Sequence, residues 1–415
     1  MKKILLALPP SAAVALVATL AAAQPLADTA LEAKARAIHE KVLTLDTHVD
    51  IPDTFMTAEV DPGGLTKSQV DLPKMRAGEL DAAFFIVYTG QGPLTPEGYA
   101  KALSNADNKA EAIARMASAY PAEIGLALTA ADARRIHASG KRVALIGMEN
   151  AYPLGASVED VAKWYAAGVR YMGITHFGHN QFGDSSNPNK DLGDEDVKFG
   201  GLSELGQALI AEQNRLGIMV DVSHSGRETM MQAVALSKAP IIASHSGVKA
   251  VADSPRNLDD EQLKALAANN GVAQMVALDV YVKLLTPEQT AFRDALTKEF
   301  KLDTPAGRAA VTPEIRAAYE KRLAGTWDIA PRATVADFVD HIDHAVKVAG
   351  IDHVGIASDF DGGGGVTGWE DAAGTLNVTR ELVKRGYTEE QIAKIWGGNL
   401  LRVMADVEKA AKKRK

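Results

Sequence analysis

His48 and Asp50 close the run LTLDTHVD, Glu149 closes ALIGMEN, His176 closes YMGITH, His224 closes IMVDVSH, and His245 lies in PIIASHS. Imidazole nitrogens and carboxylate oxygens are the donors that hold zinc when no thiolate is available, and this chain has no cysteine. His48 and Asp50 are two residues apart, so in an extended strand both side chains face one side and could face one ion. Alone, each of these residues has an ordinary explanation. A lone histidine at a strand end is more often a hydrogen-bonded core residue, and Glu149 is either salt-bridged or bound to metal, because an unpaired buried carboxylate is expensive. Taken together, donors at four strand ends point to zinc. Three ligands and an open position complete one catalytic ion. Five ligands, one of them a bridging carboxylate, suit two ions about 3.5–4 Å apart sharing a hydroxide. Such a pair lowers the pKa of bound water from about 16 to about 7 and polarises a carbonyl, which is the chemistry of amide and ester hydrolysis.

The elements that must position these residues are short, β-branched apolar runs at 42–50, 82–89, 144–150, 169–176, 218–224, 240–246, 272–279 and 353–361. Amphipathic stretches separate them, such as LSELGQALIAEQNRL at 202–216, whose apolar residues recur three or four apart. Eight strands alternating with helices predict an α/β protein, a (β/α)8 TIM-type barrel whose strand ends converge on one face. Two stretches break the rhythm. Residues 177–201, rich in Gly, Asn and Asp, should form a long loop over the site. Residues 281–332 are longer than a crossover needs, and the runs RDALTKEF and PEIRAAYEKRL predict a helical insertion between strands seven and eight. Thr388-Glu389-Glu390-Gln391 reads as a capping box opening the last helix.

Length and composition fit that picture. The 415 residues are 47% hydrophobic and 24% charged, enough for a sizeable core in one barrel domain over 24–415. The net charge of −8, with no internal basic stripe, argues against nucleic acid as a partner, and the basic run from Lys409 to Lys415 reads as a solvated tail. Lys2 and Lys3, the apolar stretch 4–20 and Ala21-Ala22-Ala23 form the pattern of a secretory signal peptide over 1–23. Pro9 and Pro10 interrupt the run, which disfavours an uncleaved anchor. The expectation is a soluble exported protein, periplasmic or secreted, with no integral membrane segment once the signal is removed. The absence of cysteine also excludes disulfides and a cysteine nucleophile.

THVDIP at 47–52, EN at 149–150, GVRYMGITH at 168–176, DVSH at 221–224, SHS at 244–246, SPRN at 254–257, GIASDFDG at 355–362 and GGNLLRV at 397–403 resemble the renal or membrane dipeptidases, peptidase family M19. The resemblance spans nearly the whole chain after the signal. It implies two Zn2+ per chain, one held by His48 and Asp50, the other by His224 and His245, with Glu149 bridging. It implies that His176 contacts the substrate carbonyl and its developing oxyanion, that Arg256 receives the dipeptide's free carboxylate, and that Asp359 shuttles a proton to the leaving amine. It also implies dipeptide substrates and a homodimer. His179 has no counterpart in that pattern and reads as a loop or pocket residue, while His341, His344 and His353 read as outer-shell residues. Two alternatives stay open. One is another binuclear hydrolase acting on lactones, phosphotriesters or N-acyl amino acids, although such enzymes usually carry H-x-H on strand one. The other is a non-catalytic periplasmic binding protein, which would not need Asp359.

Overall fold

The computed structural model describes residues 29–412; the expected signal peptide, 1–23, lies outside the described residues. Nine parallel strands form the sheet: β1 Leu45–Val49, β2 Ala82–Tyr88, β3 Ile124–Leu126, β4 Arg142–Glu149, β5 Val169–Gly173, β6 Met219–Asp221, β7 Ile242–Ser246, β8 Val272–Val276 and β9 Val354–Ala357. Eight follow one another in the order β1-β2-β4-β5-β6-β7-β8-β9, and β3 pairs with the start of β4 alone. The sequence signals eight strands; three residues such as Ile124–Leu126 are too few for periodicity to register.

The ladder runs from β1 to β9, and its ends meet. Val49 bridges Phe360, Asp50 N–H donates to the Phe360 carbonyl at 2.9 Å, and Asp359 N–H donates to the His48 carbonyl at 3.1 Å. Asp46 clamps the same seam. Its Oδ1 accepts the backbone N–H of His48 at 3.1 Å and of Ser358 at 3.0 Å, and burial pushes its carboxyl up to about 6. The sheet is thus an eight-stranded parallel barrel with helices around it.

Alternation along the strands sorts the core into two clusters. On β2, Phe84 and Ile86 join an inner cluster with Leu45, Leu145, Tyr171, Met219, Ile242 and Val272. Phe85 and Val87 join the outer cluster, where helix residues such as Ile113, Leu209, Leu263 and Phe338 pack. The last helix, Asn399–Lys412, adds Leu400, Leu401 and Met404 to the inner cluster. Just before it, Gly397 lies so close to the backbone before β1 that a Cβ would stand 2.8 Å from the Leu43 carbonyl. That end of the barrel is closed; the other end carries the polar residues.

The expected helix within 202–216 is Glu204–Leu216, with Ser203 accepting from Gly206 N–H as its cap. The capping box of Thr388 and Gln391 is present, on the short helix Glu389–Ala393 that leads through a π-helical turn at Lys394–Gly398 into the last helix. The insertion also forms as expected. Helices Pro287–Glu299, Pro305–Ala309, Pro313–Leu323 and Thr326–Ile329 stand between β8 and β9, the seventh and eighth strands of the barrel. The loop 177–201 is shaped by Asp184, whose carboxylate accepts backbone N–H groups of Lys198, Phe199, Gly200 and Gly201. Arg308 of the insertion ion-pairs with Asp191 of that loop.

Candidate metal centre

Every expected donor reaches the open end of the barrel, though not always from within a strand. Glu149 is the last residue of β4 and His245 lies inside β7, whereas Asp50 follows β1 directly. His176 and His224 come three residues after β5 and β6 end. The sequence pattern carries the fourth and fifth barrel strands, β5 and β6, on to their histidines; the backbone stops them earlier. After β6 the Asp221 carboxylate accepts Ser223 N–H at 3.0 Å, Ser225 N–H closes a turn on the Val222 carbonyl, and His224 sits in the left-handed region at φ 64°. Asn150 and Asp359 hold left-handed backbones as well, at φ 72° and 60°. Three such residues ringing one site are held by their surroundings, as strained functional backbone requires.

Glu149 is the hub. Its Oε1 lies 2.9 Å from His224 Nε2 and 3.2 Å from His245 Nε2, and its Oε2 lies 3.5 Å from His48 Nε2. Asp50 Oδ2 is 3.6 Å from the same His48 nitrogen, and His176 Nε2 is 3.7 Å from Glu149 Oε1. One carboxylate oxygen therefore faces the His224–His245 pair and the other faces His48 and Asp50. All these side chains are buried or nearly so.

The donor set fits divalent metal. His48 Nδ1 lies 2.9 Å from the Tyr171 hydroxyl, which itself donates to the Thr47 carbonyl at 3.1 Å. The phenol must then accept the Nδ1 proton, leaving the Nε2 lone pair aimed at two carboxylates. His48 Nε2 and Asp50 Oδ1 are buried without a hydrogen-bond partner, and a cation between them would satisfy both. His245 is oriented in the same way: Asp221 accepts from Ser244 Oγ at 2.7 Å, and that oxygen lies 2.8 Å from His245 Nδ1. His224 Nε2 and His245 Nε2 stand 2.9 Å apart, close enough to share an ion.

The electrostatics agree. Burial first, then the charges of Arg256 and His176, hold His224 well below its usual range. Burial, then His48 and Arg256, does the same to His245. Burial lowers His176 as well, so all three imidazoles are shifted towards the neutral form. Burial opposes charge on Glu149, yet the charges of His176 and His48 and hydrogen bonds from His224 and His245 keep it well below the ordinary carboxylate range. Burial disfavours a charged His48 too, but Glu149 and Asp50 raise it well above its normal value. Asp359 moves the other way: burial, reinforced by Asp50 and Glu149 against His48, raises it well above the usual range. Neutral imidazoles and an ionised carboxylate are the forms that ligate metal, so His48 would give up its extra proton to an incoming ion.

A cavity of about 540 Å³ opens over these groups, lined among others by Asp50, Glu149, His176, Tyr281 and Asp359. Gly362 is needed beside it, because a Cβ there would stand 2.2 Å from Asp50 Oδ2 and 2.4 Å from Asp359 Oδ1. The glycine run 362–365 thus begins with a close approach to the site.

Arg256 stands apart. It is buried behind His245, lines a separate crevice of about 60 Å³, and donates to Ser246 Oγ at 2.7 Å and to the His245 carbonyl at 2.6 Å. His179 organises the loop rather than the centre. Its Nδ1 accepts Ser185 N–H at 3.0 Å and its Nε2 donates to the Glu195 carbonyl at 3.0 Å. His341 links Val248 N–H to the Val282 carbonyl, His344 faces Asp260 and His353 faces the Gly271 carbonyl, so all three serve the scaffold. The reading by residue type passed over Tyr171, Asp221 and Ser244, although all three lie inside the motifs GVRYMGITH, DVSH and SHS. Tyr88, Lys109 and Tyr281 also line the cavity, and no local pattern marks them.

Residues 32–415 match the model of the membrane dipeptidase family, peptidase family M19. The chain is 31% identical over 349 residues to Dipeptidase aclJ of Aspergillus oryzae, covering 83% of this chain and 71% of that one. Among solved structures it resembles the probable dipeptidase PvdM from Pseudomonas aeruginosa, with 34% identity, 92% of this chain and all of that chain covered, and a TM-score of 0.84. A metallo peptidase from Rhodobacter sphaeroides, solved with a phosphinate mimic of the dipeptide L-Ala-D-Ala, shares the fold at 23% identity, 88% and 99% coverage and a TM-score of 0.67.

Proposed function

Because the chain belongs to the membrane dipeptidase family, peptidase family M19, and is a metallo-dipeptidase by that membership, we propose that its metal is zinc, two ions per chain, and that it cleaves dipeptides in the cavity above Glu149. The observation that carries this reading is the Glu149 carboxylate with a histidine pair at one oxygen and His48 with Asp50 near the other. His48 and Asp50 would hold one ion and His224 and His245 the second, with Glu149 between. Zinc so bound polarises a carbonyl and lowers the pKa of water.

The chain's own residues supply the rest. His176, kept neutral by burial, donates its N–H to the carbonyl oxygen as charge develops there. Asp359 takes a proton from the attacking water and returns it to the leaving amine. Arg256 draws the terminal carboxylate of the dipeptide towards the β7 side. Residues 24–415 act as one hydrolase unit, in a homodimer, exported behind the signal at 1–23, with no nucleic acid partner. Among the described residues no helix is long and apolar enough to cross a membrane.

A turnover screen over a dipeptide library, with elemental analysis of the same preparation, tests the proposal. We expect up to two zinc ions per chain, loss of activity on exhaustive chelation and recovery on adding zinc. Full activity in a preparation free of first-row metals would refute it.

Arg256 gives a narrower expectation. Arg256→Lys keeps the charge but loses the planar fork. It should lower kcat/KM for free-acid dipeptides by about ten- to hundredfold, and much less for C-amidated analogues. An equal loss on both substrates in a folded variant would leave Arg256 with only its support of His245 and Ser246.

A further inference from the structure

Lys109 is the cation of the cavity that neither the metal centre nor the reaction uses. It sits in the helix Pro96–Ala119 that follows β2, and it lines both the cavity over Glu149 and a neighbouring cleft of about 420 Å³. Its side chain is only 8% exposed. An ammonium taken so far out of water needs partners. Among the described residues the Lys109 ammonium makes no hydrogen bond, and its nearest carboxylate, Asp53 Oδ1, is 3.5 Å away on a side chain that is 72% exposed and already accepts from Asn105. The Lys109 Nζ lies 5.5 Å from the centre of the Tyr88 ring, and that ring lies 4.8 Å from the His176 imidazole. The charge is therefore under-partnered, and it faces the space a substrate would fill.

Barrel order fixes which part of a substrate it meets. Arg256 follows β7 and Lys109 follows β2; in the ring β1-β2-β4-β5-β6-β7-β8-β9 these are opposite strands. On the dipeptidase reading above, a substrate whose terminal carboxylate points to the Arg256 side carries its amino-terminal residue towards Lys109. A protonated amine gains nothing from an ammonium there, whereas an acidic side chain does. One extended residue spans about 3.3–3.6 Å, so an acidic side chain on the amino-terminal residue has the reach to meet Lys109.

We propose that Lys109 determines substrate preference, selecting dipeptides whose amino-terminal residue bears a side-chain carboxylate. The inference rests on the dipeptidase reading of the same cavity. Asp53 competes with the substrate for the ammonium, and Tyr88 forms the wall between Lys109 and His176.

The test compares kcat/KM for Glu-Ala with that for its neutral isostere Gln-Ala, with Ala-Glu as the positional control, in the zinc-loaded enzyme. Wild type should favour Glu-Ala. Lys109→Met should reduce the Glu-Ala to Gln-Ala ratio by roughly ten- to hundredfold, the range for a hydrogen bond to a charged group. Lys109→Glu should favour Lys-Ala instead, and Asp53→Asn, which frees the ammonium, should raise the wild-type ratio. Thermal melts identify any variant that fails to fold, and the wild-type ratio and Asp53→Asn stand without the Lys109 variants. A wild-type ratio of one or less, a ratio unmoved in folded Lys109→Met, or a loss confined to Ala-Glu would each overturn the assignment while leaving the dipeptidase reading intact. Failure of the wild type to cleave any of the three dipeptides would overturn both.

Discussion

Asp359→Asn should lower kcat by about 10²–10⁴-fold while zinc content and dipeptide affinity stay near those of the wild type. Asparagine keeps the shape of the side chain but cannot accept and deliver a proton. Asp359 is buried, holds a left-handed backbone, and is raised well above the usual carboxylate range by burial and by Asp50 and Glu149. Its surroundings oppose loss of the proton, which suits a group that must hold a proton and hand it on. A competing role is visible in the same geometry. His48, His245 and Asp359 offer ligand atoms close enough to surround an ion, and Asp359 Oδ1 is 4.0 Å from His48 Nε2. Elemental analysis of the variant decides between them. If zinc is lost, Asp359 is a ligand; if turnover stays at the wild-type rate with zinc bound, another group moves the proton.

The second large effect is expected at the hub. Glu149→Gln keeps one oxygen but replaces the other with an amide nitrogen that cannot ligate metal. The two donor pairs lose their shared anion, so zinc should fall from two ions per chain to one or none, and kcat/KM by at least about 10²-fold. Removing one partner from a buried charged network costs about 3–5 kcal/mol, which sets that scale. Metal competition titration gives the affinity of each remaining site, and a melting curve separates lost ligation from lost fold. Two tightly held ions with near-normal kcat/KM would show that the carboxylate does not bridge.

The donor residues could be read from the sequence because each follows a strong apolar run, and the barrel follows from eight such runs separated by helices. Chemistry and periodicity are both local there. What stayed hidden depends on approach between distant segments. Tyr171 supports His48 only because β5 lies across the barrel interior from β1, and Lys109 meets the cavity only because a 24-residue helix returns over Tyr88. Arg256 shows the opposite limit. Its motif announces a role, but the chain buries it behind His245, where two of its donors are already engaged. Where β5 and β6 stop was also invisible, since the left-handed turn at His224 is imposed by the Asp221 carboxylate.

The seam between β1 and β9 has a consequence for the order in which the protein comes into being. A ribosome delivers His48 and Asp50, the first two of the proposed donors, long before Val354–Ala357 and the Phe360 carbonyl that dock against them. Until then β1 is an open edge on one side, inviting pairing with the wrong chain. Zinc offered to the nascent chain meets scattered donors, whereas zinc offered to the finished chain meets a closed ring. On the proposed ligand set, a chain halted before residue 354 would carry all five donors while the ring that brings them together was still open.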